Sequence, residues 1–189
     1  MATSPLPYVT VHDYLALEEV AEYRSEYYRG EILAMAGGTL SHVRIVANLA
    51  FHLRTLLQGG ACEVLTENLL FETVNDGLLA YPDLMVFCGP IQLKGDGQRI
   101  SQNPKVVIEV LSPSTEAHDR GLKTREYWRC PSVHQYLLVS QDQPLVEVQS
   151  RAPQGKVSVE WIAGLDALCP IESLGVHLPL ASLYERVAF

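Results

Sequence analysis

Val106-Val107-Ile108-Glu109-Val110-Leu111, with Pro82-Asp83-Leu84-Met85-Val86-Phe87 upstream of it, is the part of the sequence that decides the fold. Both runs are almost wholly apolar and of strand length, and such runs belong to strands covered on both faces. They are therefore expected at the centre of a sheet that carries helices. Each run also holds one carboxylate where a strand of this kind should have none, Asp83 at the start of the first and Glu109 inside the second. An ionised carboxylate there costs several kcal/mol unless it is paired or holds a cation.

The flanking segments supply the rest of the architecture. Thr10 followed by Asp13 resembles a capping box and opens a helix to about Glu22. Glu26 to Met35 alternates around Gly30 as a strand pair or bent strand. Ser41 is expected to cap a second helix with an apolar face of Val43, Val46, Leu49, Ala50, Leu53 and Leu57, ending at Gly59-Gly60. Cys62 to Thr73 alternates with period two, and Asn75-Asp76-Gly77 signals a hairpin before Leu78. A polar loop fills Gly89 to Asn103. After Glu109, Ser112 to Thr115 makes a turn whose Ser114 or Thr115 caps a helix from Glu116 to Arg129. His134 to Val139, Leu145 to Arg151 and Val157 to Ile162 read as a meander, and Ala181 to Val187 as a short closing helix.

The 189 residues suit one domain, 1–189, of α/β class with a central mixed sheet flanked by helices. With 48% hydrophobic and 19% charged residues the chain is neither disordered nor of low complexity. It has no apolar run long enough for a membrane span. Met1 to Thr10 lacks the pattern of a signal peptide, so the expected location is the cytoplasm. The net charge of −8 disfavours polyanion binding through a general positive field. Any nucleic-acid contact is expected to be local. Lys94, Arg99, Lys105, Arg120, Lys123, Arg125 and Arg129 face five acids in their segment, which carries +2 against −10 for the remainder. Cys62, Cys88, Cys130 and Cys169 form no Cys-x-x-Cys pair and read as buried free thiols, which argues against a nitrogen or sulfur metal site and leaves an oxygen site open.

Asp119, Lys123 and Tyr127 recur at i, i+4 and i+8 of the helix after Glu109 and project from one face. The short turn before that helix lets this face pack toward the carboxylate ends of the strands. Two carboxylates and a lysine are what divalent-metal-assisted phosphodiester hydrolysis requires. Mg²⁺ needs one or two carboxylates and keeps its remaining waters. It activates a bound water and offsets phosphoryl charge, while a lysine orients that water or steadies the transition state. Asp83 and Glu109 are the expected ligands and Lys123 the cation.

Pro82-Asp83, Val107 through Thr115, and Asp119, Lys123 and Tyr127, with Tyr28-Arg29-Gly30-Glu31-Ile32 and Ser41-His42 upstream, resemble the family described as putative restriction endonucleases in the PD-(D/E)XK nuclease superfamily. The resemblance covers nearly the whole chain. It implies a restriction-endonuclease-like fold and Mg²⁺ dependence, with Mn²⁺ able to substitute. Asp83 and Glu109 are then the metal and catalytic acids, and Glu31, His42, Asp119 and Tyr127 the supporting residues. The superfamily's lysine usually stands two residues after the acid, where this chain has Leu111, so the resemblance assigns that role to Lys123 on the following helix. The expected function is a Mg²⁺-dependent endonuclease that cuts DNA by metal-activated water, as a homodimer if two symmetric sites cut two strands. The competing readings are a nuclease-fold binding or regulatory protein without turnover, and a metal hydrolase for small phosphoesters. Residue by residue, plainer roles also exist: Asp83 as a turn residue, Asp119 and Lys123 as an ordinary helical ion pair, and Tyr127 as a packing residue.

Overall fold

The computed structural model describes residues 8–35, 37–75, 77–95 and 100–189. Asp76, Arg99 and the segment 1–7 lie outside the described residues. Helix α1 (Val11–Val20) begins at Thr10, whose hydroxyl accepts the Asp13 N–H at 3.1 Å as the capping pattern predicts. Strands β1 (Ser25–Tyr28) and β2 (Glu31–Ala34) form a hairpin. Its turn needs positive φ at Arg29 and Gly30, which settles the choice between a pair and a bent strand. Helix α2 (Leu40–Leu56) is capped by Thr39 in place of Ser41. The Thr39 hydroxyl accepts the His42 N–H, so the helix starts one position before Ser41.

The expected strand from Cys62 to Thr73 divides into β3 (Cys62–Thr66) and β4 (Leu70–Glu72), with Asn68 between them at φ 74°. Then come β5 (Leu78–Ala80), β6 (Leu84–Cys88), β7 (Ile100–Ser101) and β8 (Val106–Leu111). The expected hairpin joins β4 to β5, closed by a Gly77 N–H donating to the Val74 carbonyl. The helix after Glu109 runs as α3 (Glu116–His118), a π turn (Asp119–Lys123) and α4 (Thr124–Tyr127). Thr115 precedes it without donating or accepting a side-chain cap bond. The meander is β9 (Gln135–Ser140), β10 (Leu145–Arg151) and β11 (Val157–Ala163). Beyond it lie a further hairpin, β12 (Leu168–Ile171) and β13 (Val176–Pro179), and the short helix α5 (Leu180–Leu183).

The central sheet is mixed and six-stranded, in the order β11-β10-β9-β8-β6-β3, with β8 and β9 parallel and the other neighbours antiparallel. Both apolar runs thus become adjacent interior strands. Side-chain alternation then assigns the two faces. Leu84, Val86, Val106, Ile108 and Val110 pack toward Ile45, Leu49 and Leu53 of α2. Met85, Phe87, Val107 and Leu111 pack with Tyr127, Tyr136 and Phe71. A second sheet, β2-β1-β5-β4-β7, holds Tyr27 and Leu79 against Tyr14 of α1.

The expectation of four free thiols is corrected in part. Cys62 and Cys88 are directly opposed on β3 and β6 and form a disulfide, while Cys130 and Cys169 are buried free thiols. Among the described residues no helix is long and apolar enough to cross a membrane.

Candidate metal and active site

Strand register brings the two acids together. In the β6–β8 pair Leu84 faces Ile108, so one further step along this antiparallel ladder sets Asp83 opposite Glu109. Directly opposed residues point to the same face. Each carboxylate also reaches across to the other strand: the Val110 N–H donates to Asp83 Oδ2 at 2.7 Å, and the Asp83 N–H donates to Glu109 Oε2 at 3.3 Å. Both acids line a cavity of about 710 Å³.

The helix after β8 delivers the expected cation. Lys123 Nζ lies 3.0 Å from Glu109 Oε1 and 3.2 Å from Asp119 Oδ1, and the Tyr127 hydroxyl donates to Glu109 Oε1 at 2.8 Å. The i, i+4, i+8 face therefore converges on Glu109 as its spacing predicts. The π turn spans Asp119 to Lys123, and such turns are frequent at functional sites. It leaves the Asp119 carbonyl accepting from the Thr124 hydroxyl at 2.9 Å and the Tyr136 hydroxyl at 3.3 Å. His42, in the first turn of α2, sits with Nε2 3.2 Å from Asp83 Oδ2. Glu31 is exposed at the start of β2 and is not among the residues that line the cavity. The structure thus brings together Asp83, Glu109, Lys123, His42, Asp119 and Tyr127, and leaves Glu31 outside.

Glu26 is the residue that sequence reasoning missed. It is buried on β1, 3.0 Å from Lys123 Nζ and 3.0 Å from His118 Nε2. The available signal was an acid directly before two tyrosines in the short strand Ser25-Glu26-Tyr27-Tyr28. Five carboxylates, those of Glu26, Glu67, Asp83, Glu109 and Asp119, consequently share the cavity with one ammonium. Glu26 Oε1 and Asp119 Oδ1 are buried and have no aligned hydrogen bond, although both lie at ion-pair distance from Lys123.

The electrostatic consequences differ from acid to acid. Burial pushes Glu109 well above the usual carboxylate range, against the pull of Lys123 and with added repulsion from Asp119 and Asp83. Burial likewise raises Asp119. At Glu26 burial also pushes upward, but bonding to His118 and Lys123 overcomes it and the carboxyl is lowered. Burial opposes the charge on Lys123, yet Glu109, Glu26 and Asp119 together hold the ammonium well above its ordinary value. For His42 the bond to Asp83 outweighs burial and raises the imidazole.

This surplus of hard oxygen donors suits a cation of the Mg²⁺ type. Among the described residues no three His, Cys, Asp or Glu side chains form a cage around one point. Two carboxylates with water completing the shell are the arrangement Mg²⁺ commonly accepts, and Asp83 with Glu109 fits it.

The mixed sheet, its covering helices and the carboxylate cluster at the strand ends define a restriction-endonuclease-like α/β protein. The chain belongs to the Uma2 family, described as "Putative restriction endonuclease", whose pattern matches residues 11–181. It is 33% identical over 187 residues to "Uncharacterized protein slr1290" of Synechocystis sp., covering 99% of this chain and 97% of that one. A second Synechocystis relative, "Uncharacterized protein sll1609", is 29% identical over 141 residues, 75% of this chain and 80% of that one. The fold is also that of a crystal structure titled as a putative nuclease belonging to DUF820 from Anabaena variabilis. That likeness has a TM-score of 0.76 and 22% identity, and covers 95% of this chain and 99% of that one.

Proposed function

We propose that the protein is a Mg²⁺-dependent nuclease that hydrolyses DNA phosphodiester bonds as an endonuclease, with Mn²⁺ able to replace Mg²⁺. The observation that carries this reading is the placement of Asp83 and Glu109, opposed across two interior strands and lining one cavity with Lys123. Family membership supports it. Asp83 and Glu109 are the proposed ligands, and a divalent cation held between them would lower the pKa of a water and offset charge on the phosphoryl oxygens. Lys123, kept charged by its acidic neighbours, orients the attacking water or steadies the transition-state charge. His42 fixes the Asp83 carboxylate, Tyr127 fixes that of Glu109, and Asp119 and Glu26 hold the lysine in place.

The remaining parts of the proposal are one domain, 1–189, acting in the cytoplasm as a homodimer. The Cys62–Cys88 bridge counts against that compartment, because reducing conditions keep most cytosolic thiols free. A second reading, a nuclease-fold binding protein without turnover, is favoured by the engagement of Lys123 with three carboxylates at once.

Incubation of purified protein with supercoiled plasmid and Mg²⁺ or Mn²⁺ separates these readings. The expected outcome is nicking that falls by about a hundredfold or more in Asp83→Asn and Glu109→Gln and disappears with EDTA. Equal cleavage by all three proteins refutes the assignment, and metal binding without cleavage supports the second reading. Turnover of a chromogenic phosphodiester without cleavage of DNA would instead identify a small-phosphoester hydrolase.

A further inference from the structure

Helix α2 carries more apolar surface than the core uses. Ile45, Leu49 and Leu53 are fully buried against the sheet. A second stripe, Val43, Val46, Ala47 and Ala50, follows the i, i+3, i+4, i+7 spacing of a helix face and lines the cavity; Val46 and Ala50 also pack against that core, whereas Val43 and Ala47 are exposed. Val43 is 57% exposed. Ile32 of β2 and Met35 just after it also line the cavity and are 41% and 39% exposed. The cavity is thus two-sided, with carboxylates at the strand ends and an apolar wall made by α2 and the β1–β2 hairpin.

Its charge restricts the substrate further. Proteins that follow a DNA duplex neutralise several backbone phosphates with lysine or arginine. Among the described residues that line this cavity, Lys123 is the sole lysine or arginine, and three carboxylates already engage it. The lining these residues form thus offers no free lysine or arginine to neutralise the phosphates of two strands. A volume of about 710 Å³ lies within the range of roughly 300–1,000 Å³ that encloses one small-molecule-sized group.

Resting on the nuclease reading above, we infer that the cavity takes one unpaired nucleotide of a single strand, its phosphate at Asp83 and Glu109 and its base against the wall of α2 and β2. An unpaired base offers the apolar faces that such a wall can cover, whereas in a duplex those faces are stacked away. The substrate class is therefore single-stranded nucleic acid, or the unpaired ends and loops of a duplex.

Fluorescence anisotropy with a labelled short single strand and with the same sequence as a blunt duplex, both in Ca²⁺, tests this without requiring turnover. The single strand is expected to bind about tenfold or more tightly, from the burial of one base. The double variant Val43→Ser/Ala47→Gln, at two exposed wall positions, is expected to abolish the preference, and Val43→Ile to keep it. Equal or tighter duplex binding, binding of neither, or a preference unmoved by the double variant overturns the inference. Parallel incubation in Mn²⁺ keeps the two readings apart. A strand that is bound preferentially and never cut refutes the nuclease while leaving the pocket standing. Cleavage without strand preference refutes the pocket alone.

Discussion

Two of the places where the protein buries acids are built in opposite ways. Glu72 on β4 is fully buried, and both its oxygens are satisfied: Lys94 Nζ lies 2.5 Å from Oε1 and Gln102 Nε2 donates to Oε2 at 3.0 Å. One acid there meets one cation and one amide. Around Lys123, by contrast, Glu26, Glu109 and Asp119 share a single ammonium, and two carboxylate oxygens lack an aligned donor. A buried acid alone therefore marks nothing about function. An excess of acids over cations, maintained at a cost in stability, marks a place prepared for a further positive charge.

Removing the shared cation is expected to have the largest effect. Lys123→Ala leaves three buried carboxylates facing one another, and loss of one partner from such a cluster costs about 3–5 kcal/mol. Without the ammonium, the folded-state pKa values of Glu109 and Asp119, already raised by burial, rise further above those of the unfolded chain. The folded state then binds more protons than the unfolded one, so stability falls as pH increases through and above the ordinary carboxylate range. Denaturant titrations of the variant at acidic and neutral pH read this slope directly. A variant as stable as wild type at neutral pH would show that Lys123 neutralises nothing essential.

A smaller pair of effects separates the clusters by their readouts. Glu72→Gln is expected to cost about 1–3 kcal/mol by unpairing a satisfied acid, with DNA cleavage unchanged. Glu109→Gln is expected to change stability by no more than about 1 kcal/mol, since the lost acceptor for the Asp83 N–H is offset by relief of carboxylate repulsion, while cleavage collapses. Thermal melts and plasmid assays on the same preparations compare the two. If both variants lost stability and activity in parallel, the distinction between a structural and a functional acid would fail.

The carboxylate cluster around Lys123 was more legible in the sequence than the structural details around it. Asp83 and Glu109 stand out because their neighbours are apolar, and a lone charge in a run destined for the sheet interior is visible without coordinates. Lys123 and Tyr127 follow from helical spacing, which the π turn did not disrupt. Glu26 stayed hidden because its partners are distant in the chain: His118 lies 92 residues away, and local pattern carries no information about such a meeting. The disulfide was missed for the same reason, since the separation of Cys62 and Cys88 by 26 residues says nothing about strand register. The shift of the α2 cap from Ser41 to Thr39 reflects competition between two good capping residues two positions apart. The β12–β13 hairpin carries Pro170, Pro179 and Gly175, which mask a strand signal.

The most direct test of the central claim is anomalous difference density from a crystal of this protein soaked in Mn²⁺. The account predicts a single strong peak with an oxygen of Asp83 and an oxygen of Glu109 each about 2.0–2.3 Å away, and with the remaining ligands supplied by water. A peak held by one of the two acids alone, or no peak between them under conditions where Mn²⁺ binds elsewhere on the chain, would contradict it.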